Sequence, residues 1–171
     1  MDVLEIGSGT DTSGEHFPLS ASNALHLDLM RNAFHLDILA DGSRLPFRDK
    51  SFNVVFCSHV LEHVADPFAL LREIRRVARR LVVLKIPNAS YHRYNFIPEC
   101  SEHLFSWNYA TFANLLKQIF PRVRLKFTHR ITPTQYSKGF YRRWLSIAMM
   151  YAEALLGGRG YTELTAIIKL P

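Results

Sequence analysis

A short apolar run, Val3-Leu4-Glu5-Ile6, stops on Gly7 and Gly9 near the start of the sequence. An apolar run of this length closed by glycines is typical of a buried strand of a parallel sheet that ends in a tight turn. Glycine has no Cβ, so it accepts a positive φ and lets a ligand lie directly against the backbone. The stretch therefore predicts a ligand-binding turn at the edge of an open α/β sheet.

Glu5 places a carboxylate inside this predicted strand. Burying a carboxylate costs several kcal/mol unless a cation or a hydrogen-bond donor meets it. We therefore expect a cationic or hydrogen-bonding partner for Glu5. The alternative is that Glu5 lies at the end of the strand and reaches solvent.

The composition indicates a globular protein of a single domain, residues 1–171, because 48% of the residues are hydrophobic. Its two cysteines, Cys57 and Cys100, cannot form a disulfide framework, and Cys57 falls in an apolar run where a buried, reduced thiol is expected. We expect a cytoplasmic location, no signal peptide and no transmembrane segment. The longest apolar segment, 140–156, is interrupted by charged residues.

The formal net charge of +6 and the pI near 9.5 make RNA a candidate partner. Much of the excess, however, lies within one predicted helix, where a run of this kind is typical of a solvated face. Its members are Arg72, Arg75, Arg76, Arg79 and Arg80.

Strand and helix patterns alternate along the chain, which predicts an α/β sheet of about seven strands. A helix between residues 10 and 24 is expected to be short or irregular, because Gly14, Pro18 and two serines interrupt it. Asp66-Pro67 is a helix start signal, with Asp as the N-cap and Pro in the first turn. After the first strand we predict strands over 24–29, 34–40, 52–57, 81–86, 123–132 and 162–170, and helices over 68–80, 109–120 and 140–156.

Five segments, in this order and spacing, resemble the class I S-adenosylmethionine-dependent methyltransferases of the small type 11 kind. They cover roughly the first half of the chain and are VLEIGSGT (3–10), HLDL (26–29), ADGSRLPF (40–47), SFNVV (51–55) and VLEHVADP (60–67). The resemblance implies a doubly wound, mostly parallel seven-stranded sheet of the Rossmann-like methyltransferase fold, with the last strand antiparallel. A dinucleotide site is excluded, because its fingerprint needs a third glycine where this chain has Thr12.

The resemblance also implies the cofactor, S-adenosylmethionine, which leaves as S-adenosylhomocysteine. The turn Gly7-Ser8-Gly9 is then expected under the methionine part, with Glu5 near its amino group. Asp28 is expected to accept from both ribose hydroxyls, because a carboxylate can accept two hydrogen bonds at once.

The adenine amine is expected at Asp41, with the backbone N–H of Gly42 or Ser43 facing a ring nitrogen. The residues that leave the fourth strand are expected to line the methionine side and the methyl-transfer cleft. They are Cys57, Ser58 and His59.

Methyl transfer from a sulfonium is an in-line displacement, so alignment of acceptor and methyl is its main requirement. A general base is needed only if the acceptor must lose a proton. The candidates are His59, His63 and His103, because imidazole titrates near neutral pH. For His63 a structural role in the turn is the alternative. We expect no metal site.

Two segments, 88–107 and 133–156, are expected to shape the acceptor pocket, because they are rich in aromatic, histidine and polar residues. The predicted acceptor is a small molecule, a lipid-linked compound or a saccharide. An RNA acceptor is a less favoured alternative, and a homodimer is left open. Asp11 stands where the family usually has a third glycine, which motivates another alternative, a cofactor-binding or degenerate partner subunit without catalysis.

Overall fold

A computed structural model describes residues 3–9, 24–33, 36–90, 103–130 and 161–171 of the chain. These residues form a seven-stranded sheet of order β3-β2-β1-β4-β5-β7-β6 and two helices. The strands are β1 (Val3–Ile6), β2 (Ala24–Asp28), β3 (Ile38–Leu39), β4 (Phe52–Ser58), β5 (Ala78–Pro87), β6 (Arg124–Arg130) and β7 (Tyr161–Lys169). The helices are α1 (Pro67–Val77) and α2 (Tyr109–Lys117).

The first five strands are parallel, and β1 lies between β2 and β4. Glu5 of β1 is in register with His26 on one side and with Phe56 on the other. Since carboxyl ends of parallel strands meet at one edge of a sheet, the residues that follow β1, β2, β3 and β4 lie along the same edge.

The last strand, β7, lies between β5 and β6 and runs antiparallel to both. The predicted seven strands and the antiparallel last strand are therefore confirmed. The weak helix predicted before residue 24 and the helix predicted over 140–156 lie outside the described residues.

The boundary between α1 and β5 differs from the prediction, which continued the helix to Arg80. The helix ends at Val77, and Ala78 already has extended backbone angles, with φ −78° and ψ 137°. Ala78 pairs with Phe52 at the start of β4, so Arg79 and Arg80 belong to a strand. Pairing with the neighbouring strand outweighs the helical pattern of the sequence here.

Strand β3 was predicted over 34–40, of which the structure describes 36–40, and within that described part the strand comprises Ile38 and Leu39. A side-chain hydrogen bond helps to explain why the strand does not begin earlier: the carboxylate of Asp37 accepts the backbone N–H of His26 at 2.8 Å. That bond uses a donor of β2 that a longer β3 needs for its own pairing.

Helix α1 begins as the sequence predicts. The Asp66 side chain accepts from the Ala69 N–H at 3.0 Å, and Pro67 occupies the first turn. The helix buries one apolar face in the core, formed by Leu70, Leu71, Ile74 and Val77.

Helix α2 is capped at its N-terminus by a capping box, a reciprocal pair of hydrogen bonds between Asn108 and Thr111. Its buried residues, among them Phe112 and Leu116, join the same core. The predicted helix extended to Phe120, but the helix ends at Lys117 and is followed by a turn.

The thiol of Cys57 is free and buried, as predicted. Among the described residues, no helix has both the length and the apolar character that a membrane span needs.

Candidate functional site

The candidate site lies at the carboxyl edge of the parallel strands, next to β1 and β4. The chain runs from β1 to β2 on one side and continues from β4 on the other, so the strand order reverses between β1 and β4. In open α/β sheets, ligands bind in the crevice outside such a reversal point.

The turn after β1 has the backbone conformation that its glycines predict. Gly7 has φ +82° and Gly9 has φ +64°, a region that residues with a Cβ rarely adopt. A Cβ added at Gly7 would lie 2.1 Å from Cγ2 of Val60, so the loop after β4 packs directly on this turn. The turn is further fixed by a hydrogen bond of 2.8 Å from the Gly7 N–H to the Leu27 carbonyl.

Asp28 ends β2 and faces the glycine turn. Its Oδ2 accepts the N–H of Gly9 at 2.9 Å, and its Oδ1 accepts the N–H of Met30 at 2.8 Å. A carboxylate has about four acceptor positions, so these two bonds orient Asp28 and leave each oxygen able to accept once more.

Asp41 follows β3 at the same edge. Its Oδ1 accepts from both the hydroxyl and the N–H of Ser43, at 2.7 and 2.8 Å. These two bonds, with a smaller contribution from the charge of Arg44, lower the pKa of Asp41. The Ser43 N–H is thus already used by Asp41, so of the two predicted donors to a ring nitrogen only Gly42 remains a candidate.

Gly42 lies close to the core beneath the site. A Cβ there would lie 2.8 Å from Cδ1 of Leu70 in α1 and 3.3 Å from Cγ2 of Ile6. The loop that carries Asp41 therefore packs tightly against β1 and α1.

Glu5 does not reach solvent, since only 2% of the residue is exposed. Its Oε2 lies 2.7 Å from Nδ1 of His26, its neighbour in register on β2. The expected cationic or hydrogen-bonding partner thus exists within the protein. The predicted contact of Glu5 with a cofactor amino group stays a prediction.

The side chain of Cys57 belongs to the hydrophobic core and is 1% exposed, so Cys57 can line the predicted cleft only through its backbone. Burial, together with the charges of Glu62 and Glu5, raises the pKa of the Cys57 thiol. Two hydroxyls of the predicted site, those of Ser8 and Ser58, are buried without a hydrogen-bond partner among the described residues. Buried hydroxyls of this kind are uncommon and are candidates for binding a ligand.

His59 follows β4 with φ +54°, a strained conformation for a residue that is not glycine. Its N–H donates to the Lys85 carbonyl at 3.0 Å, and its ring lies between two carboxylates. Nδ1 is 3.3 Å from Oε1 of Glu62, and Nε2 is 3.3 Å from Oε1 of Glu163 on β7.

Burial lowers the pKa of His59, but the hydrogen bonds to Glu163 and Glu62 outweigh it and raise the pKa to about 10. His59 is therefore charged at neutral pH and has no free lone pair with which to accept a proton. This argues against the predicted role as a general base and for a role in holding the loop after β4.

The structure brings the other two candidate histidines together. The rings of His63 and His103 lie edge to face, with centroids 4.8 Å apart. The segment with His103 is held by the Glu62 carbonyl, which accepts from the N–H groups of Leu104 and Phe105 at 2.7 and 3.2 Å. Of the segment 88–107, only 88–90 and 103–107 are described, and the segment 133–156 lies outside the described residues.

Three residues around the site were missed at the sequence level. His26 could have been found, because parallel pairing of the first two apolar runs places it beside Glu5. Glu163 is an acid in a strand whose other residues are mostly apolar, which is itself a signal for a buried partner. Val60, which packs on Gly7, carries no such signal.

Known proteins resemble the chain in both sequence and structure. A family model described as a methyltransferase domain matches residues 4–84. The demethylmenaquinone methyltransferase of Corynebacterium urealyticum is 36% identical over 84 residues, which are 45% of this chain and 36% of that protein. The alignment thus spans well under half the length of this relative.

Solved methyltransferases share the architecture over nearly the whole chain. A SAM-dependent methyltransferase from Archaeoglobus fulgidus has a TM-score of 0.65 at 20% identity, covering 99% of this chain and 86% of that one. A phosphoethanolamine N-methyltransferase from Haemonchus contortus was solved in complex with S-adenosyl-L-methionine. It has a TM-score of 0.60 at 15% identity, and the match covers 99% of this chain and 48% of that one. Residues 4–84 therefore match the methyltransferase domain family, and the chain has the fold of the S-adenosylmethionine-dependent methyltransferases.

Proposed function

We propose that the chain binds S-adenosylmethionine at the carboxyl edge of its sheet and transfers the methyl group to a small-molecule acceptor. The observation that carries the proposal is the placement of Asp28 and Asp41 after neighbouring strands, beside the left-handed turn at Gly7 and Gly9. Two oriented carboxylates next to a turn without side chains suit a nucleoside that carries a cationic end.

The nucleoside would lie across β2 and β3. Asp28, already oriented by two backbone donors, has an acceptor position left on each oxygen for the two ribose hydroxyls. The Oδ2 of Asp41 is available for an exocyclic amine, since both Ser43 bonds go to Oδ1. Exposed apolar side chains next to these acids offer a surface for a flat ring, and they are Leu29, Met30 and Leu39.

The methionine end would lie over the glycine turn. The unpaired hydroxyls of Ser8 and Ser58 supply donors or acceptors there, so the residues present fit a polar amino-acid tail. When bound, the cofactor supplies an electrophilic methyl group on a sulfonium.

The contribution of the chain to catalysis is to hold the acceptor in line with this methyl group. Alignment of this kind supplies about 7–11 kcal/mol of barrier reduction in well-oriented reactions. If the acceptor loses a proton, His63 and His103 are the proposed bases. His59, which is charged, positions the loop between Glu62 and Glu163.

We propose a planar, apolar acceptor. Relatives of the chain are named demethylmenaquinone methyltransferases, which supports a ring compound of the quinol class. Phe105 and Trp107 stack with centroids 5.5 Å apart, and Leu104 and Phe105 are exposed on the same segment. Aromatic and aliphatic surface of this kind favours a flat apolar ring over a sugar.

The arginines of α1 support this choice over RNA. The Arg76 guanidinium binds the carbonyls of Leu45 and Phe47 as well as two carboxylates, and Arg75 binds the Ile119 carbonyl. These two side chains therefore link parts of the fold and are not simply a solvated basic face. The cytoplasmic location and the homodimer stay predictions.

Calorimetric titration of S-adenosylmethionine into the full chain and into Asp41→Asn tests the cofactor site. In this variant the new amide oxygen can still accept from Ser43, but the new NH₂ group faces the adenine amine as a second donor. We expect binding to the wild type and a loss of about tenfold or more in the variant, equivalent to one hydrogen bond to a charged group.

The matched control is Ser43→Ala, which removes the hydroxyl bond to Asp41 and leaves its charge in place. Its affinity should stay within a few-fold of wild type. No detectable binding by a folded wild-type chain would instead favour the degenerate partner subunit without catalysis.

The acceptor is tested by incubating the chain with radiolabelled S-adenosylmethionine and either a demethylated quinol or RNA. We expect label in the quinol, and RNA affinity that is weak at every salt concentration. Tight RNA binding that falls steeply as salt rises, with label in the RNA, would contradict the small-molecule proposal.

A further inference from the structure

We propose that Glu62, His63 and His103 form a binding site for a divalent transition-metal ion of the Zn²⁺ type. One oxygen or nitrogen atom from each of the three residues lies within 4.8 Å of the others. The proposal does not depend on methyl transfer, which needs no metal. An imidazole that binds the ion through its one lone pair cannot also accept a proton, so His63 and His103 can act as bases only in the metal-free chain.

The distances suit a metal centre. Ligand atoms at 2.0–2.2 Å from a tetrahedral ion are about 3.4 Å apart, so small side-chain rotations are enough to close this cluster. Two imidazoles on one tetrahedral ion have ring centroids about 5 Å apart by the same geometry. The rings of His63 and His103 have centroids 4.8 Å apart.

The buried carboxylate of Glu62 is the second, independent observation. Glu62 is 1% exposed, and its Oε2 has no hydrogen-bond partner among the described residues. Oε1 lies 3.3 Å from Nδ1 of His59, which leaves Oε2 for a further cationic partner. A buried carboxylate oxygen without a donor costs free energy, and a metal ion at the cluster removes that cost.

The backbone already holds the three residues together. The Glu62 carbonyl accepts from the N–H groups of Leu104 and Phe105, directly after His103 in the sequence. The N–H of His63 donates to the Val60 carbonyl at 3.0 Å, and this bond fixes the turn that carries Glu62 and His63. The site is thus largely formed before any ion binds, which lowers the ordering cost of binding.

The donor set selects the class of ion. Two imidazole nitrogens and one carboxylate oxygen, with a fourth position open to water, match Zn²⁺ sites with three protein ligands. Mg²⁺ and Ca²⁺ prefer oxygen ligands, so this cluster disfavours them. The sequence does not reveal the site, because Glu62 and His63 lie far along the chain from His103.

The test is calorimetric titration of ZnCl₂ into the full, tag-free chain after removal of metals with a chelator. We expect one Zn²⁺ per chain and a rise in melting temperature, and a weak response to MgCl₂. The variants His63→Gln and His103→Gln should each lose about tenfold or more in Zn²⁺ affinity. Substitution by Co²⁺ should give the visible absorption of a four-coordinate ion in the wild type only.

The matched control is His129→Gln, which removes a histidine from the edge strand β6 and should leave Zn²⁺ affinity unchanged. Because both histidine variants alter partly or fully exposed positions, folding should survive in them, and circular dichroism checks this. Wild-type affinity in both His63→Gln and His103→Gln, less than one equivalent of Zn²⁺ bound, or equal affinity for Mg²⁺ would each overturn the proposal.

Discussion

The Glu5 carboxylate lies 2.7 Å from Nδ1 of His26, and the two residues are direct register partners on β1 and β2. The pair sits beneath the glycine turn, because Glu5 precedes Gly7 by two residues and His26 precedes Asp28 by two. The buried acid of β1, an interior strand of the sheet, thus has its partner on the neighbouring strand β2. The same two strands lead into the glycine turn and carry Asp28 of the proposed cofactor site.

Replacing His26 by Leu should lower the free energy of unfolding by about 1–3 kcal/mol, because the buried Glu5 carboxylate loses this partner. The measurement is urea unfolding followed by circular dichroism. His26→Gln, whose amide can still donate, should recover part of the loss. The double variant Glu5→Gln/His26→Leu should be more stable than His26→Leu alone. If the loss of unfolding free energy in the double variant equals the sum of the losses in the two single variants, the pair is not coupled.

Replacing Gly7 by Ala should cost about 1–3 kcal/mol of stability and weaken S-adenosylmethionine binding, because the residue needs φ +82° and its Cβ meets Val60. The control is Gly42→Ala, where φ is ordinary and the contact is with the end of the flexible Leu70 side chain. Differential scanning calorimetry should show a smaller fall in melting temperature for Gly42→Ala. An equal fall in both variants would contradict the argument from backbone strain.

Much of the sheet could be predicted, because its strands are apolar runs with clear turn signals. The Gly7 turn, the Asp66 cap and the placement of Asp28 and Asp41 at one edge all follow from local chemistry and parallel pairing. The turn and the cap depend on residues that are close in sequence, and the placement of the two acids depends on the parallel pairing of β2 with β3.

The rest depends on contacts between distant parts of the chain. Arg79 and Arg80 follow a helical pattern, yet they become part of β5 because Ala78 pairs with Phe52. His59 looks like a candidate base until Glu163, from the far end of the chain, is placed beside it. Local propensity and spacing carry no information on such partners.

Replacing Arg76 by Met should lower the free energy of unfolding by about 1–3 kcal/mol, because the carbonyls of Leu45 and Phe47 lose a charged donor. Glu73, whose pKa is lowered mainly by its hydrogen bond to Arg76, also loses its partner. The control on the same helix is Arg72→Met, since Arg72 is exposed and 4.0 Å from Asp66. Arg72→Met should change stability by less than about 0.5 kcal/mol in urea unfolding. Equal losses in the two variants would show that the network around Arg76 contributes nothing specific.

The stability that His59 contributes should fall as the pH rises from 6.5 to 10. Its pKa is about 10 in the folded chain and 6.5 in its ordinary state, so the folded chain binds the proton more tightly. The contribution is complete below pH 6.5 and is lost as the pH passes through 10. The measurement is the difference in unfolding free energy between wild type and His59→Gln across this range.

That difference should shrink by about 1–3 kcal/mol between pH 6.5 and 10, a range that allows for the partial exposure of the His59 ring. Glu163→Gln removes one of the two carboxylates, so it should move the fall to lower pH while keeping its direction. A difference that stays constant over this range would mean that His59 is neutral in the folded chain, and it would return His59 to the set of candidate bases.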